Sequence, residues 1–275
     1  MSRILAHLVA GYPSAEASLT VGRALLDAGV WGLELQLPFS DPTADGPVIQ
    51  EACSDALAAG FRVDDGLALL AELRSRTDAP LFVMSYASIP VRRGVERFVG
   101  EATEAGASGF IVPDLPPDTD EGLYETARAY GAPAVPVLVA GMAEERIAAS
   151  LARDPEYLYV ALRRGTTGSR TELGEENISF LRRLAESEAR LMAGFGIRDR
   201  DQVEALDPWV HSVVVGSAFV REVAAAARTA DGSSPAGVDT GIYRAVREKA
   251  EELIGHARTG AQPETGAGVD QPPRF

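Results

Sequence analysis

Three kinds of residue in this chain could do chemistry, and all stand at or just beyond the ends of short apolar runs. The first is Glu34, inside Gly32-Leu33-Glu34-Leu35-Gln36-Leu37-Pro38. A carboxylate within an apolar run is costly unless it is paired or used. In such a place it suits general acid work near neutral pH; the plain alternative is a buried glutamate satisfied by neighbouring hydroxyls. The second is Asp45, in the stiff loop Pro38-Phe39-Ser40-Asp41-Pro42-Thr43-Ala44-Asp45-Gly46-Pro47. A folded loop could carry Asp45 back over Glu34, and two carboxyls in different surroundings can divide acid and base work. Taken alone, Asp45 reads as a cap on the helix that begins near Pro47. The third kind is glycine, in Ala193-Gly194-Phe195-Gly196-Ile197 and Val215-Gly216-Ser217-Ala218. Glycines there let backbone N–H groups approach an anion, and Ser217 adds a hydroxyl at a helix start, so the pair reads as a phosphate site. The alternative is a pair of tight turns that need positive φ.

Other chemistries lack their residues. Lys249 is the only lysine and lies near no strand end, so a Schiff-base aldolase would have no nucleophile. His7, His211 and His256 do not cluster in sequence, and Cys53 is the single cysteine, so neither a histidine nor a cysteine metal site is expected. His7 reads as a satisfied core histidine in the first apolar run. Tyr86, Asp114 and Tyr159 stand at or near the ends of later runs, where a core or cap role is the simpler reading.

The elements that must position these residues alternate. The apolar runs are 4–10, 32–37, 81–86, 109–113, 134–139, 157–162, 191–195 and 212–215, continuously apolar as in strands buried on both faces. Amphipathic stretches lie between them, at 15–28 (Ser14 as N-cap, Gly29 as C-cap), 48–59, 64–76, 95–105, 121–130, 143–153, 178–188, 200–206 and 242–256. Eight strand–helix units in one chain of 275 residues predict an α/β fold, a single (β/α)₈ TIM barrel over 1–257, followed by a Gly/Pro/Gln-rich disordered tail over 258–275. An open doubly wound sheet is the alternative, but its glycine fingerprint after the first strand is absent. In a barrel, function gathers where the strands end, which is where Glu34, Asp45 and the late glycines stand. The polar segment 163–176 reads as a lid or binding loop and 229–237 as a surface loop.

Composition narrows the partners. Lys+Arg is 26 against Asp+Glu 40, a formal net charge of −14, which repels phosphate backbones and anionic lipid; nucleic acid and membrane are excluded as main partners. No apolar run approaches the roughly 20 residues of a membrane span, and the start is too short for a secretory peptide, so a cytoplasmic location is expected. The scarcity of lysine fits either a GC-rich genome or adaptation to salt.

The order of motifs resembles one family, the tryptophan synthase alpha chains. It is carried by Leu33 to Gln50 as a block, by Gly11-Tyr12-Pro13, Tyr86-Ala87, Pro113-Asp114-Leu115-Pro116, Arg163-Arg164-Gly165-Thr166-Thr167-Gly168, Gly194-Phe195-Gly196 and Gly216-Ser217. The resemblance implies a barrel lyase that splits indole-3-glycerol phosphate into indole and glyceraldehyde 3-phosphate with no metal and no organic cofactor. It implies Glu34 as general acid/base, Asp45 as the acid that handles the indole N–H, and Tyr159 as an active-site tyrosine. It places Gly168, Gly196, Gly216 and Ser217 at the phosphate, Ile49 and Tyr86 around the indole, and Thr167 in the lid. It also implies a pyridoxal-phosphate β subunit as partner, in an αββα assembly that passes indole through a tunnel. Gln36 stands where the family usually has glycine, and its side chain is expected to crowd the indole or to hydrogen-bond Glu34. Strand one begins almost at once, so the family's preceding helix is not expected. Two further readings are a barrel that only binds and activates a β-type partner, and another phosphate-binding barrel lyase or isomerase.

Overall fold

A computed structural model describes residues 2–162, 174–194, 196–229 and 235–255. Nine parallel strands form one sheet: β1 (Ile4–Val9), β2 (Gly32–Gln36), β3 (Leu81–Met84), β4 (Gly109–Ile111), β5 (Ala134–Val135), β6 (Val137–Val139), β7 (Tyr157–Ala161), β8 (Arg190–Gly194) and β9 (Ser212–Val215). Their order is β5-β4-β3-β2-β1-β9-β8-β7-β6. The two ends of that order are consecutive in the chain, separated only by Pro136. Proline has no N–H to give a ladder, so it divides one apolar run into two short strands. Each half pairs with a different neighbour, β5 with β4 and β6 with β7, and the Pro136 carbonyl accepts from the Tyr159 N–H at 2.9 Å. The sheet thereby curls into the expected (β/α)₈ barrel, its fifth strand broken at the proline.

The helices are α1 (Ala15–Asp27), α2 (Pro47–Ala58), α3 (Val63–Arg74), α4 (Ser88–Arg93), α5 (Val95–Glu104), α6 (Leu123–Ala129), α7 (Glu144–Leu151), α8 (Glu175–Leu184), α9 (Arg200–Leu206), α10 (Ser217–Thr229) and α11 (Pro235–Ile254). α1 shows why such segments are helical. Ser14 accepts from the Ala17 N–H at 3.1 Å, the turn Val21, Ala24, Leu25 faces inward, and Gly29 at φ +83° ends the helix as few other residues could. Burying these inner stripes against the outer face of the strands makes the main core.

A second, smaller core fills the inside of the barrel. At the end where the strands begin, Trp31, Phe82, Tyr157 and His211 pack ring against ring, with centroids 4.8 Å apart for Trp31–His211 and 5.5 Å for Phe82–Tyr157. These rings plug the floor and leave the other end, where the strands finish, to hold a cavity.

Some expectations need correction. α4 was not among the predicted helices, and of α10 only the start at Ser217 was read. α8 begins at Glu175, inside the segment read as a polar loop, and α11 begins at Pro235, inside the segment read as a surface loop. The rest of those two segments, and the tail over 258–275, lie wholly or partly outside the described residues. Among the described residues no helix is long and apolar enough to cross a membrane.

Candidate active site

Strands β1 and β2 pair in register so that His7 stands beside Glu34 and Val9 beside Gln36. Both charged side chains enter the barrel, His7 4% and Glu34 2% exposed. The His7 Nδ1 lies 3.5 Å from Glu34 Oε2. Burial pulls the imidazole pKa down, but the facing Glu34 carboxylate, the Asp45 charge and the Gln36 side chain more than offset this, so His7 holds its proton to higher pH than an ordinary histidine. Two readings change here. Glu34 is met by a histidine rather than by hydroxyls, and His7 is a cavity residue with a carboxylate partner rather than a satisfied core histidine.

The loop before α2 folds back as the sequence suggested. The Asp45 N–H donates to the Pro42 carbonyl at 3.0 Å, and the Gln50 amide donates to the Asp45 carbonyl at 2.9 Å. Asp45 is thereby turned into the barrel, 4% exposed. Its Oδ2 accepts from Gln36 Nε2 at 2.7 Å and from the Tyr86 hydroxyl at 2.8 Å. The helix-cap reading of Asp45 fails: the N-cap of α2 is Gly46, with no side-chain cap. Burial raises the Asp45 pKa, against the lowering effects of His7, Tyr86 and Gln36. Tyr86 is itself fixed from two sides, accepting from the Ala44 N–H at 3.0 Å and stacking on Phe39 at 5.3 Å.

Gln36 neither crowds the cavity nor bonds Glu34. It is wholly buried, its amide nitrogen is committed to Asp45, and it is not among the cavity's lining residues. Its Oε1 and the His7 Nε2 are both buried without a hydrogen-bond partner. The sequence reading of Gln36 is that it crowds the indole or bonds Glu34, not that it holds Asp45, and His7 reads as a core residue. The signal that singled out Glu34, a polar residue within an apolar run, was equally present at both.

The cavity at the strand ends has a volume of about 270 Å³. Glu34, Asp45 and Tyr159 line it together with Gly194, Gly196, Gly216 and Ser217. Ile49, Met84, Ile111 and Val137 supply an apolar surface between them. Tyr86 lies against Asp45 rather than on the cavity wall, whereas Ile49 is on it. Tyr159 projects from β7; burial and the charges of Glu34 and Asp45 push its phenol pKa well up, so it stays a protonated hydrogen-bonding group. Ser217 opens α10 directly after Gly216, so backbone N–H groups at a helix start border the cavity. Gly196 takes φ +70°, a conformation that favours glycine. Asp114 takes the plainer role expected for it, accepting from the Ala87 N–H at 2.8 Å. Thr167 and Gly168 lie outside the described residues.

Two buried carboxyls and a glycine-bordered helix start in one cavity at the strand ends fit a class, barrel enzymes that work by acid–base chemistry on a phosphorylated, partly apolar substrate. Comparison with known proteins makes the class specific. A family model described as "Tryptophan synthase alpha chain" matches residues 2–240. The tryptophan synthase alpha chain of Helicobacter hepaticus is 36% identical over 226 residues, covering 80% of this chain and 85% of that one. Among solved structures, Mycobacterium tuberculosis tryptophan synthase superposes with a TM-score of 0.80 at 29% identity, covering 94% of this chain and 93% of that chain. The tryptophan synthase complex of Pyrococcus furiosus gives a TM-score of 0.80 at 29% identity over 92% and 98%. The chain belongs to the tryptophan synthase alpha chain family. It is accordingly a carbon–carbon lyase of tryptophan biosynthesis that cleaves indole-3-glycerol phosphate.

Proposed function

We propose that the cleavage runs on Glu34 and Asp45, with the substrate phosphate at Gly196, Gly216 and Ser217 and the indole against Ile49. Glu34 protonates indole C3 while Asp45 withdraws or stabilises the N–H proton, which makes the ring an electron sink. A base then takes the proton of the side-chain hydroxyl, the carbon–carbon bond breaks, and its electron pair restores the aromatic indole. The proton gained at C3 and the proton lost from the hydroxyl balance, and Asp45 returns its proton to the indole nitrogen as the ring regains its aromaticity. Each acid–base contribution is about 10²–10⁴-fold. Tyr159, kept protonated, orients the Glu34 side of the ring, and Tyr86 acts on the indole through Asp45. By resemblance Thr167 closes the lid toward Asp45 and Gly168 joins the phosphate site. The partner is a pyridoxal-phosphate β subunit in an αββα assembly that receives the indole, and the protein works in the cytoplasm.

The observation that supports these roles best is that Glu34 and Asp45 share one cavity with the late glycines. The test is a steady-state assay with indole-3-glycerol phosphate, with and without a β subunit, on the wild type and on Glu34→Gln. The expected result is turnover by the wild type and loss of about 10²-fold or more in Glu34→Gln. A folded wild type inactive under both conditions would leave the chain only a partner-activating role. Full activity in Glu34→Gln would move the acid elsewhere.

A further inference from the structure

Neither His7 nor Gln36 has a place in that division of labour, yet both are buried against its two carboxyls. Among the described lining residues His7 is the one side chain that can carry positive charge. Its Nδ1 faces Glu34 Oε2 at 3.5 Å, longer than a formed hydrogen bond, as catalytic contacts often are before substrate tightens them. The charged or titratable groups around it are Glu34 from β2, Asp45 from the loop before α2 and Tyr159 from β7, with Tyr86 beyond Asp45. The Gly216 turn before α10 also borders His7: a Cβ built at Gly216 would stand 3.4 Å from the His7 Cβ. Gln36 spans the carboxyls' surroundings, giving its amide to Asp45 at 2.7 Å while its carbonyl oxygen and His7 Nε2 are left as an acceptor and a donor without formed bonds.

We propose that His7 is a positioning residue that stores on Nδ1 the proton Glu34 delivers to the substrate, and that Gln36 ties this pair to Asp45. The proposal rests on the reading of Glu34 as the acid/base. At rest the pair holds one proton, as an imidazolium and a carboxylate. Transfer from Nδ1 to Oε2 makes the carboxylic acid that protonates indole C3, leaving a neutral imidazole and a carboxylate. The carboxylate takes the side-chain hydroxyl proton as the carbon–carbon bond breaks, and the pair regains its single proton. No proton is exchanged with solvent in the cycle. The proton destined for the substrate is thus kept within the pair, on the imidazole, rather than drawn from solvent.

The test is a titration of isotopically labelled histidine in the full chain by NMR, joined to pH–rate profiles. His7 is expected to titrate above the ordinary value of about 6.5 in the wild type and to fall by about one unit or more in Glu34→Gln. His211, on the barrel floor, is the internal control and stays where it is. His7→Gln is expected to lower kcat by about 10²-fold, to leave KM within about threefold, and to shift the alkaline limb of kcat to lower pH. A His7 titration identical in wild type and Glu34→Gln overturns the proposal without any variant of His7 having to fold. So does a His7→Gln enzyme with an unchanged alkaline limb. If wild type turns over but Glu34→Gln is equally active, the underlying acid/base reading has failed instead.

Discussion

The two walls of the cavity are built from different materials. The wall on β1 and β2 is made of side chains that hold one another: Glu34 by His7, Asp45 by Gln36 and Tyr86. The wall on β8 and β9 is made of backbone, with Gly194, Gly196 and Gly216 keeping side chains out of the way and Ser217 starting α10. A proton must be given and taken at a defined atom, so that wall needs groups whose charge state is set by neighbours. A phosphate carries its charge throughout and needs only N–H groups at fixed places, which a helix start supplies without a titrating group. In the proposed mechanism, chemistry and anchoring thus fall to different materials within one cavity.

That contrast predicts different kinetic signatures. On the side-chain wall, Asp45→Asn keeps an oxygen that can accept from Gln36 and Tyr86 but cannot take the N–H proton. We expect kcat to fall by about 10²-fold with KM little changed, read in a steady-state assay of indole-3-glycerol phosphate cleavage. If KM rises instead and kcat holds, Asp45 is part of the anchor and the separation is lost.

On the glycine wall, a methyl group is the sharper probe. At Gly194 it would stand 2.1 Å from the Val214 carbonyl oxygen, where strands β8 and β9 close on each other, so this glycine is a requirement of the barrel itself. At Gly216 the nearest atom is the His7 Cβ at 3.4 Å, an ordinary contact. Gly216→Ala should therefore fold and raise KM by about tenfold, about 1.4 kcal/mol, while kcat stays within about threefold. Gly194→Ala should lose about 1–3 kcal/mol in a denaturant melt before any kinetic effect is read. Equal behaviour of the two variants would mean that neither glycine is specific to the ligand.

How far the sequence revealed these walls follows from the same contrast. Glycine at a strand end is visible as a residue type, and its backbone role follows directly, so Gly196, Gly216 and Ser217 were legible. So were Glu34 and the return of Asp45, since a carboxyl in an apolar run and a stiff proline loop are local features. The partners were not. That His7 faces Glu34 depends on the pairing of β1 with β2, a fact about register between distant segments. The commitment of Gln36 to Asp45 depends on how the loop folds back. The break of the fifth strand was not read: 134–139 reads as one run, although Pro136 within it gives no N–H to a ladder. The start of α10 at Ser217 was read, but not how far the helix runs.

A milder perturbation tests whether the side-chain wall acts as one unit. Tyr86→Phe removes one of the two hydrogen bonds to Asp45 Oδ2 and leaves the ring stacked on Phe39. Since Tyr86 lowers the Asp45 pKa, the variant should shift the acid limb of the pH–rate profile to higher pH and reduce kcat by about three- to tenfold. An unshifted acid limb would detach Tyr86 from the chemistry and return it to a packing role.

The smallest effect concerns stability. Both His7 and Asp45 have folded pKa values raised above their unfolded ones. The folded state therefore binds protons more tightly at these sites than the unfolded chain does. The stability His7 contributes is fully present below its unfolded value of about 6.5 and is lost as pH rises through its raised folded value. For Asp45 the same sign applies from about 3.9 upward. Chemical denaturation of the wild type between about pH 6 and pH 9 should show stability declining with pH, and the slope should flatten in His7→Phe, which has no proton to lose there. The glycine wall carries no titrating group on these strand ends, so Gly216→Ala should shift the whole curve without changing that slope. A wild-type curve that is flat, or a slope that survives in His7→Phe, would place the pH dependence outside the cavity and leave the two walls electrostatically alike.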